Sequence, residues 1–451
     1  MSSADRESER FDAIVIGANV AGLVTSYVLT SWGFRTAIVE RAARVGGVDA
    51  SFRNERGRWF DFGLHALDDM RSELTTRFFG HVLEGALHRL ERRRAIVLRG
   101  LTIPYNAEPK DWPDALRPLL LHGGESPLVD DIGTQPPTRE RIASCYGRGF
   151  ADLVFGEILP SYPSDHRHAL LGVPEQSLLV NVYPWFFPRS ARARVSLDAS
   201  RTYQDAVREQ PREYLLYPDA GYFGAFPEAI ARRCVAQGAE LLLGARDLFV
   251  DYQPQTRRVE SVLVNGRRLR APRVYWCGPP AALCALVGRE VPNATPDSFV
   301  LGSFEYERPV RCAYSELILG DPEHRINRIS FPGKLAHGED NLVQCEFAFP
   351  TADEEWSRKP EDWRDAFARS LTQLGVVDAH NRVVDASVQL VPIFYNVLGA
   401  EGRELPPLDF ADTLGPDSNL RPVLPTYQKV NINTRVPQIV QFLAHDLAAR
   451  R

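Results

Sequence analysis

Residues 11–47 read FDAIVIGANVAGLVTSYVLTSWGFRTAIVERAARVGG, and the reading of this stretch decides the fold. The apolar run Ala13 to Ile16 predicts a buried parallel strand that breaks at Gly17. Leu23, Tyr27 and Val28 then recur at helical spacing, Gly33 ends the helix, and a second apolar strand runs from Thr36 to Val39 and ends at Glu40. A strand, a glycine turn, a helix and a strand closed by a carboxylate make the βαβ unit that binds a dinucleotide. Gly17 serves the tight turn and Gly22 the close packing of helix on strand. The helix N-terminus offers free N–H groups and a positive dipole end to a pyrophosphate. Glu40 stands where a carboxylate accepts both ribose hydroxyls. The contact candidates in the turn are therefore Gly17, Asn19, Ala21 and Gly22, with Glu40 beyond them. Asn19 replaces the middle glycine of G-x-G-x-x-G, the one that lets the backbone approach the pyrophosphate. Asn tolerates unusual backbone angles, which is how the turn is expected to survive.

Beyond Glu40 come Arg41, Arg44, Gly46 and Gly47. The pattern E-R-x-x-R-V-G-G resembles the flavoprotein superfamily of amine oxidases, protoporphyrinogen oxidases and UDP-galactopyranose mutases. The resemblance implies FAD as cofactor, with the paired glycines passing close to it. Residues 58–69, RWFDFGLHALDD, resemble the D-x-G-x-H turn of the mutase branch, with Asp61, Gly63 and His65 in the matching places. That turn would sit against the flavin ring: Gly63 allows close approach, and His65 bonds to flavin N5 or to substrate. A structural His in a turn is the plainer alternative. The Ile-Pro-Tyr ending of residues 91–106 resembles the same branch, and Phe155, Pro160 and Tyr162 match loosely a helical cap over the substrate cavity.

A second hallmark lies in residues 213–250, where Tyr217, Pro218, Gly221, Gly224, Ala229 and Gly238 fall in place. In relatives the strand after this helix touches the adenine, near Leu248 here. Asn265-Gly266 between Val259–Val264 and Arg267–Leu269 predicts a hairpin. Residues 273–280, RVYWCGPP, resemble the turn where such chains leave the FAD domain. In the substrate region strands are expected at residues 299–306, 314–319, 342–349 and 385–396, with a helix over 360–374, and Tyr395 is the candidate for substrate contact. At the C-terminus Arg421 corresponds to an arginine that approaches the flavin or its pyrophosphate, with Leu420 in place of the preceding glycine. A helix is expected from Val436 to Ala449, with Asn431 and Asn433 near the cofactor and Asn433 as its cap.

The fold class is therefore α/β: a Rossmann-like FAD-binding domain interleaved with a mixed α+β substrate domain. Residues 9–100, 213–285 and 415–451 are assigned to the first, and 101–212 and 286–414 to the second. A chain of 451 residues suits two such intertwined units. Hydrophobic residues at 44% and charged residues at 25% are those of a globular chain. A net charge of −5 gives no bulk basic field for nucleic acid. The arginine runs at 91–94 and 267–270 read as solvated faces, with recognition of an anionic substrate as the minority reading. Six cysteines without a C-x-x-C pair or a His cluster predict free thiols and no metal site. Residues 1–10 are polar, and no apolar run reaches membrane length, so a cytoplasmic protein is expected. Peripheral membrane contact and a homodimer stay open.

Function reads in three ways. The first is FAD-dependent oxidation of a small-molecule C–N or C–C bond, with hydride passing to flavin N5, His65 and Tyr395 being the catalytic candidates. The second is a mutase-type isomerase of a nucleotide sugar. The third is a non-catalytic relative that keeps the fold as a binding or scaffold protein, motivated by Asn19, Leu420 and Asn433.

Overall fold

The computed structural model describes residues 8–69, 72–104, 113–115, 148–153, 213–290, 294–319, 321–336, 338, 340–350, 354–399, 408–424 and 432–448. Tyr105, Phe155, Pro160, Tyr162 and Asn431 lie outside them.

Five parallel strands form the sheet that carries the glycine turn, in the order Glu240–Leu242, Thr36–Val39, Ala13–Ile16, Val274–Trp276, Leu420–Pro422. Ala13, Ile14, Val15 and Ile16 are all buried, because a central parallel strand is covered on both faces. Alternate residues serve the two sides. Ala13, Val15, Ile38 and Tyr275 pack against the helices Val20–Ser31, Ala225–Ala236 and Ile432–Ala448. Ile14, Ile16, Val39 and Leu420 pack against a small sheet built on the hairpin at Asn265-Gly266. Both turn residues there have positive φ, 48° and 81°, as a two-residue hairpin requires. Strand Ala13–Ile16 has neighbours that leave in opposite directions through the chain. Its carboxyl end is therefore the crevice where ligands bind in open α/β sheets.

A seven-stranded sheet draws on residues 94–104 and 294–399, in the order Val383–Gly399, Ala294–Tyr306, Leu342–Pro350, Arg328–Ser330, Glu316–Leu319, Arg94–Leu98, Leu101–Pro104. Arg94–Leu98 thus pairs with Glu316–Leu319, so membership of this sheet begins before residue 101. One face packs on helix Pro360–Gln373 through Trp363, Phe367 and Leu371, all fully buried. The other face meets the short hairpin Ser51–Arg53/Trp59–Asp61, where Phe52 and Phe60 join Phe299, Leu301 and Leu342. This second face also carries a polar row in register: Arg94, Glu316, Ser330, Gln344 and Ser303. All five are buried.

Two local expectations change. The strand expected at residues 385–396 runs from Val383 to Gly399, through Pro392; it lies at the sheet edge, where a missing N–H is tolerated. The C-terminal helix starts at Ile432, with Pro437 inside it, so Asn433 is a first-turn residue and not the cap. Pro437 lies in the second turn, so its missing N–H costs the helix one i→i−4 backbone bond.

Candidate functional site

The site grows from the Gly17 turn. Gly17 has φ 101°, and a Cβ there would lie 3.1 Å from the Cys277 carbonyl. A Cβ on Gly22 would lie 1.8 Å from the Gly17 oxygen, so only glycine lets the helix sit this close to the strand. Asn19 does not use the unusual angles expected of it: φ is −72° and ψ 177°, ordinary extended backbone. The middle position of the motif is the N-cap of helix Val20–Ser31, and Asn is among the best N-caps. The Gly22 N–H donates to Asn19 Oδ1 at 3.1 Å, while Asn19 Nδ2 donates to the Cys277 carbonyl at 2.7 Å. Ala21, half-buried beside the core, keeps a first-turn amide with no partner within the helix. The paired glycines close over this point. The Gly46 N–H donates to the Ala18 carbonyl at 2.8 Å, and a Cβ on Gly47 would stand 3.2 Å from that of Asn19.

Glu40 sits at the carboxyl end of strand Thr36–Val39. Its Oε2 accepts the Ala18 N–H and its Oε1 the Ala42 N–H, both at 2.8 Å. The carboxylate is thereby aimed at the mouth of the glycine turn, and each oxygen retains a lone pair. The segment that runs beside it is Gly244–Ala245, which donates to the carbonyls of Ala42 and Glu40. Leu248 comes later, half-buried against the sheet's lower core. Arg41 is exposed. Arg44 Nη1 donates to the Ser51 carbonyl, and its guanidinium lies 5.3 Å from the Phe62 ring centre.

After the glycine pair the chain turns through Gly47–Asp49 into Ser51–Arg53. Asp49 is buried and pairs with Arg435 of the C-terminal helix at 2.7 Å, with His65 Nε2 4.0 Å from its other oxygen. His65 stacks on Phe223 with ring centres 5.8 Å apart. The glycine pair, the His65 turn and the first turn of the last helix therefore meet at one place.

Below the His65 turn lies Asp61. Its carboxylate accepts from Ser51 Oγ at 2.5 Å, Tyr217 Oη at 2.6 Å and the Phe223 N–H at 2.9 Å. Burial pushes its pKa from 3.8 up to about 6, against the pull of those three donors. Burial and the neighbouring Asp61 charge push the Tyr217 hydroxyl above its ordinary value. Two side chains of strand Leu342–Pro350 grip the same turn from above. Gln344 Nε2 donates to the Asp61 carbonyl at 2.9 Å, and the Leu64 N–H donates to Glu346 Oε1 at 3.0 Å. Gly63, at φ 96°, would bring a Cβ to 3.2 Å from that same Glu346 oxygen.

Other candidates stand elsewhere. Arg421 lies within strand Leu420–Pro422, and its Nε donates to Asp446 Oδ1 at 2.7 Å near the far end of the C-terminal helix. Tyr275 Oη shares that carboxylate. The backbone of Tyr395 lies opposite Asp297 in the seven-stranded sheet. Among the described residues no cluster of His, Cys, Asp and Glu could hold a metal, and Cys234, Cys277, Cys284, Cys312 and Cys345 are free thiols. Sequence reasoning missed Asp49, Arg435, Gln344 and Glu346, whose roles come from strand register and a contact across 386 positions of chain. Asp61 was visible as part of the motif but not as a buried hub.

The residues present fit the adenosine diphosphate end of a dinucleotide. A helix N-terminus, an aimed carboxylate, and glycines where a Cβ on Gly46 would come within 3.0 Å of the Ala50 nitrogen leave backbone as the wall of the crevice. Arg421 is paired with Asp446.

Comparison with known proteins agrees with this geometry. Residues 15–82 match the family model of an NAD(P)-binding Rossmann-like domain. All-trans-retinol 13,14-reductase of Rattus norvegicus is 26% identical over 145 residues, which is 32% of this chain and 22% of the reductase. The chain thus aligns with about a fifth of the length of that relative. A putative protoporphyrinogen oxidase from Exiguobacterium sp. 255-15 superposes with TM-score 0.67 at 14% identity, over 99% of this chain and 100% of the other. Reduced UDP-galactopyranose mutase superposes with TM-score 0.65 at 15% identity, over 97% and 96%. Both superpositions show a shared fold, the one that the motif resemblance leads to expect, and the family model covers its nucleotide-binding unit.

Proposed function

We propose that this chain is an FAD-dependent oxidoreductase that oxidises or reduces a carbon–nitrogen or carbon–carbon bond of a small molecule. The observation that carries the reading is the convergence, at the carboxyl end of strand Ala13–Ile16, of the capped glycine turn, the Glu40 carboxylate, the Gly46-Gly47 turn and the His65 turn. Bound FAD would supply the acceptance or donation of a hydride, chemistry that no protein side chain offers. The protein's part is to bind and orient. Glu40 takes the ribose hydroxyls, and the first-turn amides of helix Val20–Ser31 face the pyrophosphate. Gly63 and His65 line the reacting end, where His65 moves or holds a proton on the substrate. Asp49 and Arg435 neutralise each other beneath it, so that end is not left with an uncompensated buried charge.

A mutase-type reading has a specific observation in its favour: His65 occupies the D-x-G-x-H position, and the superposition on the mutase spans nearly the whole chain. The two readings part in one experiment. Purified protein is loaded with FAD and its visible spectrum recorded before and after addition of candidate amines, unsaturated apolar alcohols and nucleotide sugars. Bleaching without added reductant supports oxidation. Turnover only after prior reduction, with no net redox change, supports isomerisation. A protein that stays colourless with excess FAD refutes both and favours the non-catalytic reading.

A further inference from the structure

We infer that Glu346 is a positioning residue for the His65 turn, and that it acts with Arg328 as a fixed charge pair beside the reacting end of the site. The inference rests on the FAD reading above. It begins with strand parity. In strand Leu342–Pro350, Val343 and Cys345 face the apolar layer under helix Pro360–Gln373, so Gln344 and Glu346 face the other way. What they meet there is the turn that follows strand Trp59–Asp61. Gln344 donates to the backbone carbonyl of Asp61, and Glu346 accepts from the backbone N–H of Leu64. The turn is thus held at both ends by two side chains of the other sheet, one residue before His65 and four before it.

The grip is specific to the length and charge of Glu346. Its Oε1 reaches Leu64 and passes 3.2 Å from where a Gly63 Cβ would be, so the glycine is needed to admit it. Its Oε2 accepts from Arg328 Nη2 at 2.6 Å, on the neighbouring strand and directly opposite in register. Glu346 is 7% exposed, so the charge is poorly screened and its partner matters. Gln344 is tied in turn to Ser303 Oγ at 3.1 Å. The polar row continues to Glu316, which burial disfavours as an anion but which Arg92 and Arg94 hold below the usual carboxylate range. A face of a sheet that spends buried, charged side chains on one three-residue turn is arranged for something other than packing, since an apolar row would pack as well.

Two substitutions separate the parts of the role. Glu346→Gln keeps the length and the acceptor for Leu64 but removes the negative charge. That change favours the electron-rich reduced flavin, so the midpoint potential of bound FAD should rise. Glu346→Asp keeps the charge but falls short of Leu64, so the turn should loosen. The visible band of bound FAD should shift in shape, and the potential should move less than in Glu346→Gln. Holoprotein of all three forms is titrated with dithionite and a reference dye, with FAD content and thermal midpoint measured alongside. A wild type that takes up no FAD defeats the FAD reading itself, and this inference with it. Variants that lose only thermal stability, while spectrum and potential match the wild type, overturn the positioning role and leave the FAD reading standing.

Discussion

Replacing Asp61 with Asn should make the protein less stable in acid and more stable above neutrality. The carboxyl is buried and its pKa is raised from 3.8 to about 6, with burial as the largest cause. A folded-state pKa above the unfolded one means that the native state keeps its proton longer. The stabilisation from the neutral carboxyl is full below about pH 4, and it is lost as pH rises through about 6. A shift of roughly two units at 1.36 kcal/mol each makes the loss about 3 kcal/mol. Asn cannot ionise. It can keep an acceptor for Ser51 Oγ and the Phe223 N–H, which share Oδ1, and it gives up the acceptor for Tyr217, at about 1 kcal/mol. Asp61→Asn should therefore cost about 1 kcal/mol at pH 3, come out about even at pH 4.5, and gain about 2 kcal/mol at pH 8. Urea unfolding of wild type and variant across that range gives the difference directly, and every other titrating group cancels from it. A difference that stays constant from pH 4.5 to pH 8 would refute the buried-acid argument and make Asp61 an ordinary ionised hub.

Glu40→Ala should weaken FAD binding by about tenfold or more, the scale of one charge-assisted hydrogen bond, as read by fluorescence titration; unchanged affinity would remove Glu40 from the ribose. Asn19→Gly should lower stability by about 1 kcal/mol, through loss of the cap and of the bond to the Cys277 carbonyl, while FAD affinity rises because the Gly22 N–H is released. A fall in affinity would instead make the Asn19 side chain part of the binding site. Gly22→Ala places a methyl 1.8 Å from the Gly17 oxygen, so soluble yield and thermal midpoint should both drop sharply. His65→Ala should leave FAD content intact and abolish turnover; full activity would return His65 to a structural role.

The chain's local chemistry determined the nucleotide-binding unit by itself. Ala13 to Ile16 has one reading as a doubly buried strand, and Gly22 and Glu40 are fixed by contacts within forty residues of sequence, whereas the space at Gly17 is also closed by the distant Cys277 carbonyl. The hairpin at Asn265-Gly266 is legible for the same reason, since the φ values it needs belong to those two residue types. Asn19 shows the boundary. Sequence marked it as a deviation and supposed an unusual backbone; the structure shows an ordinary N-cap that takes the Gly22 N–H, held by a second bond to the Cys277 carbonyl, far along the chain. Arg421 shows it again: its partner, Asp446 on the last helix, is not named by any local motif. Asp49, Arg435, Gln344 and Glu346 carry no local signature at all. A carboxylate or an amide in a strand says nothing of which face it lies on, or what that face meets, until strand register and the packing of two sheets are set. Sequence thus determined the cradle, whose physics is backbone conformation over short range. Tertiary structure alone decided which side chains surround the His65 turn, because charge pairs and grips across the two sheets depend on register that no local pattern encodes.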